Sequence, residues 1–194
     1  MAEAKTDILP FAAGALHTSA LAASNDAAMI EGGAEYRGLC QVVLDIGRSI
    51  LSPGSRVVDL RCDLDLLMPL ISEHEDLCRF VALSPTAEES WKCFDRLRTR
   101  VRLGFVDAAC LNLNDSFPEL SAKMIIAKDA LLDLPEARRA EVLRSIRGRL
   151  ERSGAAIVVE NASDDMEPLF RESGFGSVTR VWSDGNSVAW LIRK

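Results

Sequence analysis

Five short runs of mostly apolar residues, RVVDL (56–60), RFVAL (79–83), VRLGFV (101–106), KMIIAK (123–128) and AAIVVE (155–160), alternate with longer amphipathic stretches. Each run is too short for a helix and too continuously apolar for a strand with one wet face. Each therefore predicts a strand buried on both sides, as in a parallel sheet. The intervening TAEESWKCFDRLRTR and LPEARRAEVLRSIRGRL read as helices, the second opening at Pro135 and closing before Gly154. Parallel strands need crossover connections, which are right-handed, so the chain is predicted to form an open α/β sheet with helices packed on it.

The two ends depart from this rhythm. From Glu35, Leu39, Val42, Val43, Ile46 and Ile50 recur at helical spacing, and SPGS stops that helix. Residues 1–34 are small, rich in Ala and Gly, and weakly periodic, and are expected to be an arm before a domain spanning 35–194. Near the other end SVTRVW (177–182) and SVAWLIRK (187–194) flank SDGN, whose Asp184-Gly185 pair favours a hairpin turn. NASDDMEPLFRESGFG, between the fifth strand and the hairpin, is long enough for one helix.

A chain of 194 residues, 48% hydrophobic, suits one domain with a full core. Its net charge of −6 argues against broad binding to nucleic acid or anionic membrane. Cys40, Cys62, Cys78, Cys93 and Cys110 are spread evenly, with no C-x-x-C pair and only His17 and His74 beside them. They are expected to be uncrosslinked core thiols in a cytoplasmic protein without a metal. The stretch ILPFAAGALHTSALAASNDAAMI is preceded by Glu3 and Asp7 and interrupted by His17, Thr18 and Ser19, so it reads as neither signal peptide nor membrane span.

Four stretches carry a family likeness. LSPGSRVVDLRC is similar to a strand leading into a DLGC loop, CRFVALSPTAEESWKCFDRL to a second strand and helix, ARRAEVLRSIRGRLERSGAAIVVE to a helix, turn and fifth strand, and RESGFGSVTRVWSDGNSVAWLIRK to a closing hairpin. Over residues 35–194 the chain resembles the class I S-adenosylmethionine-dependent methyltransferases, nearest to the tRNA wobble-uridine carboxymethyltransferase branch. The resemblance implies a Rossmann-like, mostly parallel seven-stranded sheet with a C-terminal antiparallel hairpin and helices on both faces. It also implies a homodimer, for which the arm and hairpin are the candidate interface.

The resemblance places a cofactor site at Asp59, Arg61, Cys62, Asp63, Ser84, Asp107, Ala108 and Lys128. Arg61, Asp63 and Asp65 stand where the family has small residues, mostly Gly, that let backbone approach the cofactor. Asp65 is a candidate cap for the next helix. Ser84 matches the acidic residue that holds the ribose, and Asp107 the one that contacts the adenine amine. Lys128 and Asp129 follow the fourth strand, on the ligand side of such sheets, where a mutual ion pair is the plainer expectation. The carboxymethyltransferase branch also carries a long insertion before the hairpin, which this chain lacks.

These residues admit three readings. The first is a methyltransferase-fold protein that has stopped using S-adenosylmethionine and serves as a binding or assembly module. The second is an active methyltransferase, on tRNA or another substrate, with an atypical loop. The third keeps the pocket but uses Arg61 to hold a carboxylate or phosphate, against the plainer pairing of Arg61 with Asp59 or Asp63. No catalytic residue is recognisable. His17 is expected to make a local turn contact, His74 to be solvated, and Trp91, Trp182 and Trp190 to pack in the core or an interface. The arginines of RLRTRVR (96–102) read as solvated surface, with an RNA contact as the minority option.

Overall fold

The computed structural model describes residues 34–163 and 165–194, so the proposed arm and His17 lie outside the described residues. Its elements run α1 (Ala34–Ile50), β1 (Arg56–Asp59), α2 (Leu64–His74), β2 (Arg79–Ser84), α3 (Ala87–Arg102), β3 (Val106–Cys110), β4 (Ala122–Lys128), α4 (Glu136–Arg149), β5 (Leu150–Asn161), α5 (Glu167–Glu172), β6 (Ser177–Ser183) and β7 (Ser187–Arg193). The seven strands form one sheet in the order β3-β2-β1-β4-β5-β7-β6. The first five strands are parallel, and β7 runs antiparallel between β5 and β6.

Strand residues alternate between two cores because successive side chains leave a strand on opposite faces. Val57, Phe80, Met124 and Ile157 pack with Leu39 and Val43 of α1, Leu67 and Ile71 of α2, and Leu97 of α3. Val58, Val81, Ile125 and Val158 pack on the other face with Val142, Leu143 and Ile146 of α4 and Phe170 of α5. Trp190 adds an edge-on contact with Phe170, their centroids 5.9 Å apart.

Three expectations about elements need correction. The run 101–106 is not a strand: α3 continues to Arg102, and the chain turns through Gly104 at φ +76° before β3 begins at Val106. Cys93, Leu97 and Val101 are spaced four apart and continue the helix's inner face, which outweighs the β-propensity of a short Val-containing run. α4 does close before Gly154, at Arg149, but Gly154 lies inside β5 rather than in a turn, and a β-carbon there would sit 2.7 Å from the Lys123 carbonyl oxygen. His74 is buried beneath α1, close to Gly47, rather than solvated. Trp91 is the opposite case, 70% exposed on α3, while Trp182 is half-buried against Gly38 of α1. No helix among the described residues is long and apolar enough to cross a membrane.

Candidate functional site

β1 ends at Asp59, and the chain must then bend over the carboxyl edge of the sheet into α2. A buried carboxylate organises that bend. Asp59 Oδ1 accepts the N–H of Arg61 at 3.0 Å and Oδ2 accepts that of Asp63 at 2.9 Å. Burial pushes the Asp59 pKa up to about 7, against the pull of those N–H donors. Wrapped around this anion, Cys62 takes φ +51°, the left-handed region that glycine enters most easily.

Asp63 starts α2. Its Oδ1 accepts the N–H groups of Asp65 and Leu66, each at 3.1 Å, so Asp63 caps the helix and Asp65 lies in its first turn. The same carboxylate accepts the Tyr36 hydroxyl from α1 at 2.7 Å and pairs with Lys128 Nζ from β4 at 3.0 Å. Asp129 completes the pairing with Lys128 at 2.9 Å, and the ammonium lies 5.7 Å from the centre of the Tyr36 ring. Burial, and then the Asp63 charge, hold the Tyr36 phenol far above its ordinary range, so it stays a donor. Burial works against the Lys128 charge, but Asp129 and Asp63 outweigh it and raise the lysine pKa.

Arg61 reaches the other way. Its guanidinium donates to the Asp129 carbonyl and to Asp133 Oδ2, the latter at 2.8 Å. The expected pairing of Arg61 with Asp59 or Asp63 is therefore replaced by one with the loop after β4, because Asp59 is engaged by backbone and Asp63 by Tyr36 and Lys128. Beneath that loop Glu160 is buried, accepts the Leu131 N–H at 2.9 Å, and has its pKa pushed up to about 7, by burial first and then by the Asp129 charge.

The crevice above the strand ends is thus split. One cleft of about 220 Å³ is lined by Arg61, Cys62, Asp63, Lys128 and Asp129. A second, of about 290 Å³, lies between the ends of β2 and β3 and the loop after β4, with Arg61, Glu89, Asn112 and Asp133 among its polar walls. Arg61 borders both.

Not every expected site residue reaches this crevice. Ser84 is the buried last residue of β2, and the neighbouring Pro85, Thr86 and Glu89 line the cleft instead. Asp107 and Ala108 lie inside β3, paired with Val81 and Ala82, with Asp107 exposed three residues before the strand's end. Leu111, Asn112, Leu113 and Asn114 occupy the cleft side of that strand. β3 starts five residues later than the sequence suggested, so Asp107 falls within the strand rather than after it. Sequence reasoning missed Tyr36, because nothing local to α1 marks a residue that acts across to α2, and missed Glu160, which reads as the last apolar-flanked residue of a strand.

The cysteines also need correction: Cys62 and Cys93 form a disulfide joining the β1–α2 loop to α3. Cys40 and Cys78 are buried free thiols and Cys110 an exposed one. The bridged pair lies 31 positions apart in sequence, so only the fold brings them together. The bridge takes two of the five cysteines expected to be uncrosslinked, and the other three remain free.

Strand order 3-2-1-4-5-7-6 with a reversed seventh strand is shared with solved structures. An S-adenosylmethionine-dependent methyltransferase from Clostridium acetobutylicum superposes with a TM-score of 0.66 at 9% identity, over 85% of this chain and 94% of its own. The fold is that of the class I S-adenosylmethionine-dependent methyltransferases. The methyltransferase SibL matches with a TM-score of 0.66 at 12% identity, over 83% of this chain and 55% of its own. The cyclase SpnF matches with a TM-score of 0.59 at 16% identity, over 72% and 58%. This chain therefore spans a little over half the length of SibL and SpnF. No protein-family model and no curated protein matches the sequence. That a cyclase shares the methyltransferase fold illustrates that architecture of this kind does not fix the chemistry.

Proposed function

We propose that this is a methyltransferase-fold protein whose cofactor crevice is filled by its own side chains, and that it works as a binding or assembly module rather than by methyl transfer. The observation that carries the reading is the network Tyr36–Asp63–Lys128–Asp129, together with Arg61 bound to the loop after β4. S-adenosylmethionine does not fit these residues. The two clefts that Arg61 borders, about 220 and 290 Å³, lie at or below the lower end of the roughly 300–1,000 Å³ of ordinary small-molecule sites. Admitting a nucleoside would break ion pairs that are partly withdrawn from water, since Asp63 and Lys128 side chains are only 16% and 24% exposed. An acidic ribose acceptor is missing at Ser84, and Arg61 is itself occupied, which argues against its holding a carboxylate or phosphate.

A second reading, an active methyltransferase with an atypical loop, draws support from Cys62. Its left-handed backbone is the turn glycines make in such loops, and Glu89 and Asn112 offer polar groups in the larger cleft. The resemblance adds two further proposals, a homodimer and a place in the tRNA-modifying branch. Light scattering tests the first and methyl transfer to bulk tRNA the second.

Thermal unfolding with millimolar S-adenosylmethionine separates the main readings. A ligand at about 100 times its dissociation constant stabilises by about 2.7 kcal/mol. For a domain of this size that raises Tm by about 5–11 °C. An unchanged Tm is expected. A rise in that range overturns the module reading in favour of the enzyme.

A further inference from the structure

We infer that the Cys62–Cys93 pair is a reversible redox latch on the crevice: oxidised, it fixes the β1–α2 loop shut, and reduced, it releases it. The inference rests on the reading that the crevice is closed by its own residues. Its grounds are positional. Cys62 lies between Arg61, which borders both clefts, and Asp63, which ties α1, α2 and β4 together. It also carries the one left-handed backbone conformation in the loop, which a residue with a β-carbon holds only when its surroundings impose it. The disulfide is one such restraint and the Asp59 carboxylate the other. Of the two, the disulfide is the one that answers to a redox signal.

The two sulfurs are unequally accessible, which sets the direction of the chemistry. Cys62 is half-buried and lines the smaller cleft, whereas Cys93 is 4% exposed inside the α3 core. A dithiol reductant therefore attacks at Cys62. Its thiolate forms a mixed disulfide with Cys62 Sγ, the original S–S bond breaks, and the electron pair leaves on Cys93 Sγ, which takes up a proton. The reductant's second thiol then attacks the mixed disulfide and departs as a cyclic disulfide, leaving Cys62 as a thiol. Two electrons have passed to the protein. Cys93 then packs as a small apolar side chain, and Cys62 is free to leave the left-handed region and carry Arg61 and Asp63 with it.

Backbone amide order parameters of the full chain, measured by NMR with and without dithiothreitol, test the latch. Reduction is expected to lower the values at Cys62 and Asp63 from about 0.85, typical of rigid backbone, to below about 0.6, while β4 and β5 are unchanged. The double variant Cys62→Ser/Cys93→Ser must show the low values without reductant. Unchanged order parameters in the reduced chain overturn the latch and leave the closed-crevice reading standing. Collapse of the whole spectrum to that of an unfolded chain also overturns it, because the bridge is then a plain structural staple. Stabilisation of the oxidised chain by S-adenosylmethionine overturns the closed crevice, a separate result read in a separate experiment.

Discussion

Removing the Asp63 carboxylate tests whether this residue is a structural hub. In Asp63→Ala, α2 loses its cap, worth about 1 kcal/mol. The Tyr36 hydroxyl loses a charged acceptor at 2.7 Å, worth about 1.5–3 kcal/mol. The pair with Lys128 is lost as well, but Asp129 stays 2.9 Å from that ammonium, so this part costs about 0.5 kcal/mol. All three act through one side chain and do not simply add, which points to a total of about 3 kcal/mol. At about 2–4 °C per kcal/mol for a domain of this length, Tm should fall by about 6–12 °C. Asp63→Asn keeps an oxygen for the cap and for Tyr36 and should cost about 1 kcal/mol. Urea unfolding of both variants, with Tyr36→Phe and the double variant Tyr36→Phe/Asp63→Ala, closes a cycle whose coupling energy should exceed about 1 kcal/mol. If Asp63→Ala lies within about 0.5 kcal/mol of wild type, or if Tyr36→Phe and Asp63→Ala add without coupling, the network does not hold the crevice shut and the reasoning fails.

Two other outcomes are expected. The Cys62–Cys93 bridge closes a loop of 31 residues, for which chain entropy gives about 3.7 kcal/mol, so the double serine variant should unfold about 7–15 °C lower in calorimetry; a shift under 2 °C contradicts that origin of its stabilisation. Glu160, with its folded pKa raised to about 7, binds a proton more tightly folded than unfolded, so the stability it contributes is present below about pH 4.5 and is lost as pH rises to 7. Wild type should therefore lose stability relative to Glu160→Gln between pH 4.5 and 7 in urea titrations, and parallel curves would contradict the buried carboxylate; Asp59 slopes the same way in both proteins.

The strands and helices that the sequence revealed most clearly were those with one dominant pattern. β2, β4 and the closing hairpin emerged near their observed bounds because apolar continuity or an Asp-Gly turn marked them. β3 was misread because Val101 serves the inner face of α3, and a single valine does not say which element it belongs to. That slip of five residues leaves Asp107 in mid-strand, while Asn112 lines the cleft. The loop after β1 was legible as unusual, and Arg61, Cys62, Asp63 and Lys128 do meet at one cleft. What joined them was not legible, since Tyr36, Cys93 and Asp133 come from α1, α3 and the loop after β4 and meet the loop only once the sheet has formed.

Asp59 grips main-chain N–H groups and no side chain, so the bend it shapes is indifferent to which residues travel around it. The loop's side chains, large and ionic here, are therefore not what holds the strand-to-helix corner together. In this chain the corner is marked by geometry rather than by glycine, as an interior aspartate with a positive φ three residues on.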